Sequence, residues 1–567
     1  FVGKYRLIVA WAVPAAHQLG QKPIDNNSAG CPQPRIAKDK KHIKKNINMV
    51  RYPIGQADFG EIRRTGCLYV DKTMFIHELV SSGKFFFLSR PRRFGKSMLI
   101  STMEAYFRGE RELFKGLALD TLESEEWTKY PVLHLDFTRS GYNNTEDLQR
   151  FLEKVVGDWE KEFGTSYPDQ TPDWRFDQLL SDIYARTGQP VVILIDEYDS
   201  PIVDVHDKPE LEKLNRKTLH DFYRVMKSNE KYLKFVFLTG VGKLGQINIF
   251  SGLNNIMDIS LMPQYSAICG ITTQELTDNF KEGIEDLAQK RNWTYEETLL
   301  RLKSQYDGYH FSEDLIDVYN PFSLVKALYS VSISDYWFQS GTPTRLIHQF
   351  LENDWGTPDL EGSVMSRNML ESGDVLGDNL ALSCFYTGYL TIKNYNTRRD
   401  NFVLGYPNKE VRNGFFMNLL ETAKKWDMGR AYNFVDSLND FIDNDDIKGF
   451  LLEMKSFLAG IPYMAYTDKE PQWQKDILII SRLVGLQVEA ERRMSSGRMD
   501  MVLDGTKAIY IIEFKYGGTP EEALAQIDKK QYALPYQNSL NPKPVVKVGV
   551  NISPETRTID GWIIENA

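Results

Sequence analysis

An α/β chain with two sheet-bearing parts and a mostly helical stretch between them is what the sequence predicts, on three observations. From Tyr69 to Gly240, continuous apolar runs alternate with helix-patterned segments. From about residue 272 to 425 the texture becomes helical and aromatic. Close to the C-terminus, "GRMDMVLDGTKAIYIIEFKY" reads as a hairpin across a DG turn, with a helix and a last strand pair after it. The chain has 567 residues, more than one core can organise, so several domains are expected. The expected divisions are an extension over 1–48, a first α/β domain over 49–271, a helical or winged-helix-like connector over 272–425, and a second α/β domain over 426–567.

The extension is set apart by texture. "YRLIVAWAVPAAHQ" has basic flanks, a short apolar run and small residues, as a secretory signal does, but it is too short to span a bilayer. The preferred reading is a non-native or wrongly started extension, because the basic run "KDKKHIKKNI" follows and Met49 precedes ordinary domain sequence.

In the first domain the strand candidates are "FFFLS" (85–89), "VLHLDF" (132–137), "VVILID" (191–196) and "FVFLTG" (235–240). Runs without polar alternation belong to strands covered on both faces, hence to a parallel sheet with flanking helices. In the connector, "YDGYHF", "YNPFSL" and "YWFQSGTPTRL" read as core packing, with Arg345 as an alternative nucleotide-sensing arginine. "GYLTIKNYN" and "FVLGYP" read as a hairpin. A winged helix near 385–415 would suggest DNA contact, but no basic amphipathic stretch there adds to it.

Charged residues make up 26% and hydrophobic ones 42%, and the net charge is −9. That is a globular balance without the charge of a bulk nucleic-acid binder, although local basic patches remain open. Cys31, Cys67, Cys269 and Cys384 lie far apart and form no metal spacing, so reduced thiols in a cytoplasmic protein are expected. The eight histidines are scattered, which leaves no zinc pattern. No membrane association is expected.

"RPRRFGKS" ends as a phosphate-binding loop ends. Gly95, Lys96 and Ser97 stand where a P-loop needs its last glycine, a Lys for the terminal phosphates and a hydroxyl for Mg²⁺ at a helix N-terminus. Arg90 occupies the place of the first glycine, and Pro91 removes a backbone donor. Arg90, Arg92 and Arg93 could offset that loss with guanidinium charge. A solvated basic turn before a helix would spell the same letters. "VVILIDEYDSP" decides between them: Asp196 and Glu197 end a buried strand in the order that pairs a Mg²⁺ ligand with a carboxylate able to polarise attacking water. Thr239 ends the next strand, where it could sense a γ-phosphate. An extra strand, "VLHLDF", falls between the two motifs.

With "YPIGQADFGEIRRTGCLYVDKTMFIHEL", "FLSRPRRFGKSML", "LIDEYDSP" and "IFSGLNNIMDIS", the sequence resembles the bacterial AAA-ATPase-like family, whose usual Walker A has the form RPRRFGKS. The resemblance implies that ATP is bound, with Lys96 and Ser97 on phosphate and Mg²⁺, Asp196 and Glu197 as the Walker B pair, and Thr239 as sensor. Asp71 and Lys72 of "YVDKT" also match, without an assigned role beyond a place near the nucleotide.

A second constellation lies in the C-terminal hairpin. Glu513 and Lys515 are two apart on a strand and so share a face. If Asp504 and Lys507 flank a two-residue turn, Asp500 lies opposite Ile511 with Glu513 as its diagonal neighbour on that face. Asp500 and Glu513 could then hold Mg²⁺ while Lys515 positions water for attack on a phosphodiester. A surface Glu–Lys pair would look similar, but the surround "AIYIIEFKY" is too apolar for an exposed strand. The following helix should begin at Thr519 with Pro520 first and Glu522 completing a capping box, and it carries Gln526. This D…ExK with downstream QxxxxxY resembles the PD-(D/E)XK nuclease superfamily, in the branch found at the C-terminus of the same AAA-ATPase-like proteins. The resemblance implies a restriction-endonuclease-like fold, roles for Asp500, Glu513 and Lys515 with Gln526 in support, and an acidic residue on the first helix, for which Glu470 is the candidate.

The expectation is therefore a P-loop ATPase fused to a Mg²⁺-dependent nuclease acting on DNA or RNA, with a homo-oligomer left open. The alternatives are a nucleotide-dependent switch that does not turn over, and a partner-binding protein whose nuclease-like fold does not cleave.

Overall fold

The computed structural model describes residues 50–123, 127–243, 255–340, 344–352, 360–459, 477, 480, 488–494, 497–537 and 543–567. The extension, Met49 and Glu470 lie outside them, as does the side chain of Arg345. Strands β1 (Phe85–Ser89), β2 (Val132–Asp136), β3 (Val191–Asp196), β4 (Leu233–Gly240) and β5 (Met257–Asp258) form one sheet in the order β2-β3-β4-β1-β5, and every pairing in it is parallel. Each residue of β1 and β3 is buried, which is why their sequences carry no polar alternation. Helix Lys96–Phe107 packs against β2 and β3, and helix Pro172–Thr187 against β3. β4 starts two residues before the predicted run, because buried Leu233 already pairs with Val191. β2 stops at Asp136, whose carboxylate accepts the Thr138 N–H at 2.9 Å and turns the chain.

After this sheet come the short antiparallel pair β6 (Ile271–Thr272) and β7 (Val318–Tyr319). Around them helices Thr273–Asn279, Lys281–Arg291, Tyr295–Tyr306 and Pro321–Ser330 enclose a separate core of Leu276, Ile284, Leu302, Tyr306 and Leu324. The chain then runs through helix Thr344–Glu352, β8 (Val364–Ser366), helices Arg367–Ser372 and Leu380–Thr387, β9 (Thr391–Asn396) and β10 (Asn401–Gly405). The sheet order β8-β10-β9, with this order of helices, is a winged-helix topology. The predicted hairpin is its wing.

Helices Lys409–Lys424, Met428–Asp443 and Ile447–Ala459 lead to a mixed sheet. It consists of β11 (Val488–Met494), β12 (Gly497–Asp504), β13 (Ile509–Tyr516), β14 (Val545–Ile552) and β15 (Ile559–Asn566), in that order. Only the β13–β14 pairing is parallel, and helix Pro520–Lys530 makes the crossover. Thr519 and Glu522 form the predicted capping box at its start. The register of the hairpin differs from the expected one. Asp504 pairs with Ile509 and Met501 with Ile512, so the turn is longer by two residues and Asp500 moves from opposite Ile511 towards Glu513. The reason is tertiary: Asp445 accepts the N–H groups of Lys507 at 2.8 Å and Ala508 at 3.2 Å, while the Thr506 hydroxyl donates to the Asp443 carbonyl. A shift of two preserves the face, so the predicted convergence survives.

Among the described residues no helix is long and apolar enough to cross a membrane. Cys67, Cys269 and Cys384 are free thiols, and Cys31 lies outside the described residues.

Candidate functional site

The first site sits at the C-terminal ends of β1 and β3, outside the sheet edge, where open parallel sheets bind ligands. Gly95 caps helix Lys96–Phe107 with φ +95°, a conformation that only glycine adopts without strain. Lys96 is buried, and its ammonium donates to the carbonyls of Arg90 at 3.0 Å and Pro91 at 3.3 Å. It also lies 3.1 Å from Glu197 Oε1. The two motifs found in the sequence thus meet. Ser97 is exposed at the helix start. Asp196 is buried and accepts the Thr239 hydroxyl at 2.6 Å and the Glu197 N–H at 3.1 Å. Arg93 and Glu197 both hold positive φ, 69° and 49°, so two strained backbone positions stand at this edge.

The arginines part ways. Arg90 turns away from the cleft: its guanidinium is buried under the Phe311 ring and donates to the carbonyls of Ser89, Ser260 and Tyr265 at 2.8–3.0 Å. Burial lowers its pKa to about 10. The expected phosphate contact from Arg90 is corrected on this geometry, since the buried guanidinium spends its donors on backbone carbonyls away from the cleft. Arg92 is exposed. Arg93 lines the cleft, lies 4.1 Å over the Phe322 ring and donates to the Trp337 carbonyl at 2.9 Å.

Beside the loop opens a cleft of about 370 Å³. Gly95, Lys96, Ser97 and Glu197 line one part of it, and Ile54, Leu68, Phe280, Phe322 and Val325 line another. These apolar walls come from segments far apart in the chain, so no local pattern announced them. Lys72 also lines the cleft, and its ammonium is bound by Glu275 at 2.6 Å. Asp71 instead holds backbone, accepting the N–H groups of Thr73 at 2.9 Å and Ala118 at 2.7 Å. The sequence reading missed Asp199, although it lies within "LIDEYDSP". It is fully buried and accepts the N–H groups of Val241 at 3.0 Å and Gly242 at 3.2 Å, so it ties the end of β3 to the turn after β4. Burial and the neighbouring Glu197 charge push it up to about 7. A Cβ on Gly240 would lie 2.6 Å from both Asp199 Oδ1 and the Tyr198 ring, which requires glycine there.

The second site lies on β12, β13 and helix Pro520–Lys530. Asp500 accepts the Phe514 N–H at 2.9 Å. Gln526 donates to Glu513 Oε1 and accepts from the Lys515 ammonium, so the four predicted residues form one cluster. Glu513 is 2% exposed, and its Oε2 has no hydrogen-bond partner. Burial and the Asp500 charge push its pKa up to about 8. A carboxylate buried with one orphaned oxygen beside a second carboxylate fits a divalent cation. Among the described residues no group of three His, Cys, Asp or Glu side chains is assembled for a metal.

The fold and the two clusters define the class: a P-loop nucleotide-binding sheet in one chain with a nuclease-like mixed sheet. Comparison with known proteins agrees. The AAA-ATPase-like family, described as predicted AAA-ATPase, matches residues 53–250, and the PD-(D/E)XK nuclease superfamily matches residues 468–562. The "Uncharacterized protein in vnfD 5'region" of Azotobacter chroococcum mcd 1 is 31% identical over 528 residues, covering 91% of this chain and 99% of that protein. A solved structure of the Aeropyrum pernix ORC2 protein, in ADPNP and ADP complexes, is 12% identical over 67% of this chain and 99% of that one. Its TM-score is 0.21, too slight a likeness to add to the fold. The chain belongs to the family of that Azotobacter protein, AAA-ATPase-like chains that end in a PD-(D/E)XK nuclease superfamily domain.

Proposed function

We propose that this chain is an ATP-binding P-loop ATPase fused to a Mg²⁺-dependent nuclease, in which nucleotide state controls cleavage of DNA or RNA phosphodiesters. The observation that carries the reading is the pairing of Lys96 with Glu197 at the mouth of a partly apolar cleft. A triphosphate in that cleft competes with Glu197 for the Lys96 ammonium, and the apolar walls receive the base. Released from Lys96, the Glu197 carboxylate can accept a proton from water. Thr239, which donates to Asp196, holds that carboxylate at the sheet edge. Ser97 and Asp196 would hold Mg²⁺ here, and Asp500 and Glu513 would hold it at the nuclease site. At both places the metal, when bound, neutralises charge on phosphate oxygens. Lys515, oriented by Gln526, positions the attacking water.

A second reading, binding without turnover, is favoured by one observation. Arg90 is committed to backbone carbonyls and Pro91 has no N–H, so the loop offers few phosphate donors. The experiment that tests both readings is cleavage of duplex DNA, single-stranded DNA and RNA with Mg²⁺ or Mn²⁺, with and without ATP, alongside ATP hydrolysis. The expected result is cleavage that Lys515→Ala abolishes, with ATP binding intact, and that loses its ATP dependence in Lys96→Ala. Cleavage without hydrolysis selects the switch. No cleavage of any substrate removes the nuclease assignment.

A further inference from the structure

The wing between β9 and β10 carries two charges that the rest of the fold leaves to solvent. Residues Thr397 to Asp400 form its tip, between the paired Asn396 and Asn401. The tip is held in shape. Asn396 Oδ1 accepts the N–H groups of Arg398 at 3.1 Å and Arg399 at 3.2 Å, and Asp400 closes the turn with φ 47°. The acid that would neutralise the tip is already engaged: Asp400 accepts from Arg367 at 2.9 Å and from the Tyr395 hydroxyl at 2.7 Å. Arg367 in turn lies over the Tyr395 and Phe402 rings and also pairs with Glu313. Arg398 and Arg399 are both exposed, and among the described residues neither guanidinium has a hydrogen-bond or salt-bridge partner. A chain of net charge −9 therefore presents two uncompensated arginines side by side on a hydrogen-bonded hairpin.

The winged-helix topology has a second consequence. Its last helix, Leu380–Thr387, is buried at every position from Leu380 to Tyr386, so no face of it is available to enter a groove. The wing tip instead offers a partner exposed basic side chains.

We propose that the β9–β10 wing, through Arg398 and Arg399, grips the phosphodiester backbone of a nucleic-acid duplex. The inference rests on the reading that the C-terminal cluster acts on nucleic acid. Arginine suits the task because its planar fork pairs with phosphate oxygens and stays charged at every working pH. Such contacts release counterions, so their signature is a salt dependence that other contacts lack.

The test uses the full chain carrying Asp500→Ala, which separates binding from cleavage. Fluorescence anisotropy measures binding to short duplex DNA, duplex RNA and single-stranded DNA over a range of salt. Adding Arg398→Ala with Arg399→Ala should weaken duplex binding about tenfold near 0.1 M salt and make the log–log salt slope shallower by about 2. Adding lysines at both positions should restore the slope. Both side chains are exposed, so the melting temperature should not change. Equal affinity and slope in the alanine chain would overturn the wing while leaving the nuclease reading intact, as would binding confined to single strands. If the Asp500→Ala chain binds no nucleic acid at all, the nuclease reading fails and the wing falls with it. The stronger of the two duplex arms identifies the substrate as DNA or RNA.

Discussion

At the residue scale, the first candidate site is built around one ion pair, Lys96 with Glu197. Among the described residues, two carbonyls and Glu197 surround the buried Lys96 ammonium, so removing it leaves a carboxylate without its cation and, on the proposed reading, a cleft without its phosphate ligand. Lys96→Ala should abolish ATP binding in equilibrium dialysis. Glu197→Gln keeps the shape and should retain binding while turnover drops by about 10²–10⁴, as expected for loss of a general base. A different carboxylate, outside both clusters but joined to Arg93 through Trp337, offers a pH test. Glu410 is buried, accepts the N–H groups of Tyr336 at 2.6 Å and Trp337 at 2.9 Å, and its Oε2 has no partner. Burial pushes its pKa up to about 7. The native state thus keeps a proton that the unfolded chain releases near the ordinary carboxylate value. Its contribution is fully present at low pH and is lost as pH rises to about 7. Glu410→Gln mimics the protonated form, so urea midpoints of the two chains should coincide at low pH. Above neutral pH the variant should be more stable by up to roughly 3 kcal/mol.

At the element scale, sequence periodicity located most strands and the cap of helix Pro520–Lys530, because burial on both faces and cap chemistry are local demands. The register of the β12–β13 hairpin was not local. Its DG signal suggests a two-residue turn, yet Asp445, from the loop after helix Met428–Asp443, captures two of its N–H groups and lengthens it. Asp445→Ala should lower the stability of the C-terminal sheet by about 1 kcal/mol, the net worth of hydrogen bonds at a turn that water can reach. Hydrogen exchange at Lys507 and Ala508 should quicken in the variant; unchanged rates there would show that the turn holds its own register.

At the scale of the whole molecule, the arginine-rich loop is a junction as well as a candidate phosphate site. Arg93 reaches Trp337 and Phe322, Arg90 packs under Phe311, and Phe94 meets Tyr309 and Phe311 edge-on at 4.7 and 5.4 Å. Nucleotide in the cleft should therefore stabilise the connector together with the first sheet. Saturating ATP should add about 3 kcal/mol at a hundredfold excess over Kd, read as a rise in Tm, and none in Lys96→Ala. The sequence by itself singled out the candidate site residues that the fold brings together, since phosphate loops and D…ExK clusters need fixed residue types at short spacings. It also determined the parallel sheet, whose strands need unbroken apolar runs. The tertiary structure alone decided that Arg90 turns inward and that Ile54, Phe280, Phe322 and Val325 share one cleft. It also decided that Asp199 ties two strand ends together and that the winged helix buries its last helix and exposes its wing. The physical reason is one: burial and hydrogen-bond satisfaction are settled between segments distant in sequence, and no local pattern records which backbone carbonyl a buried arginine will meet.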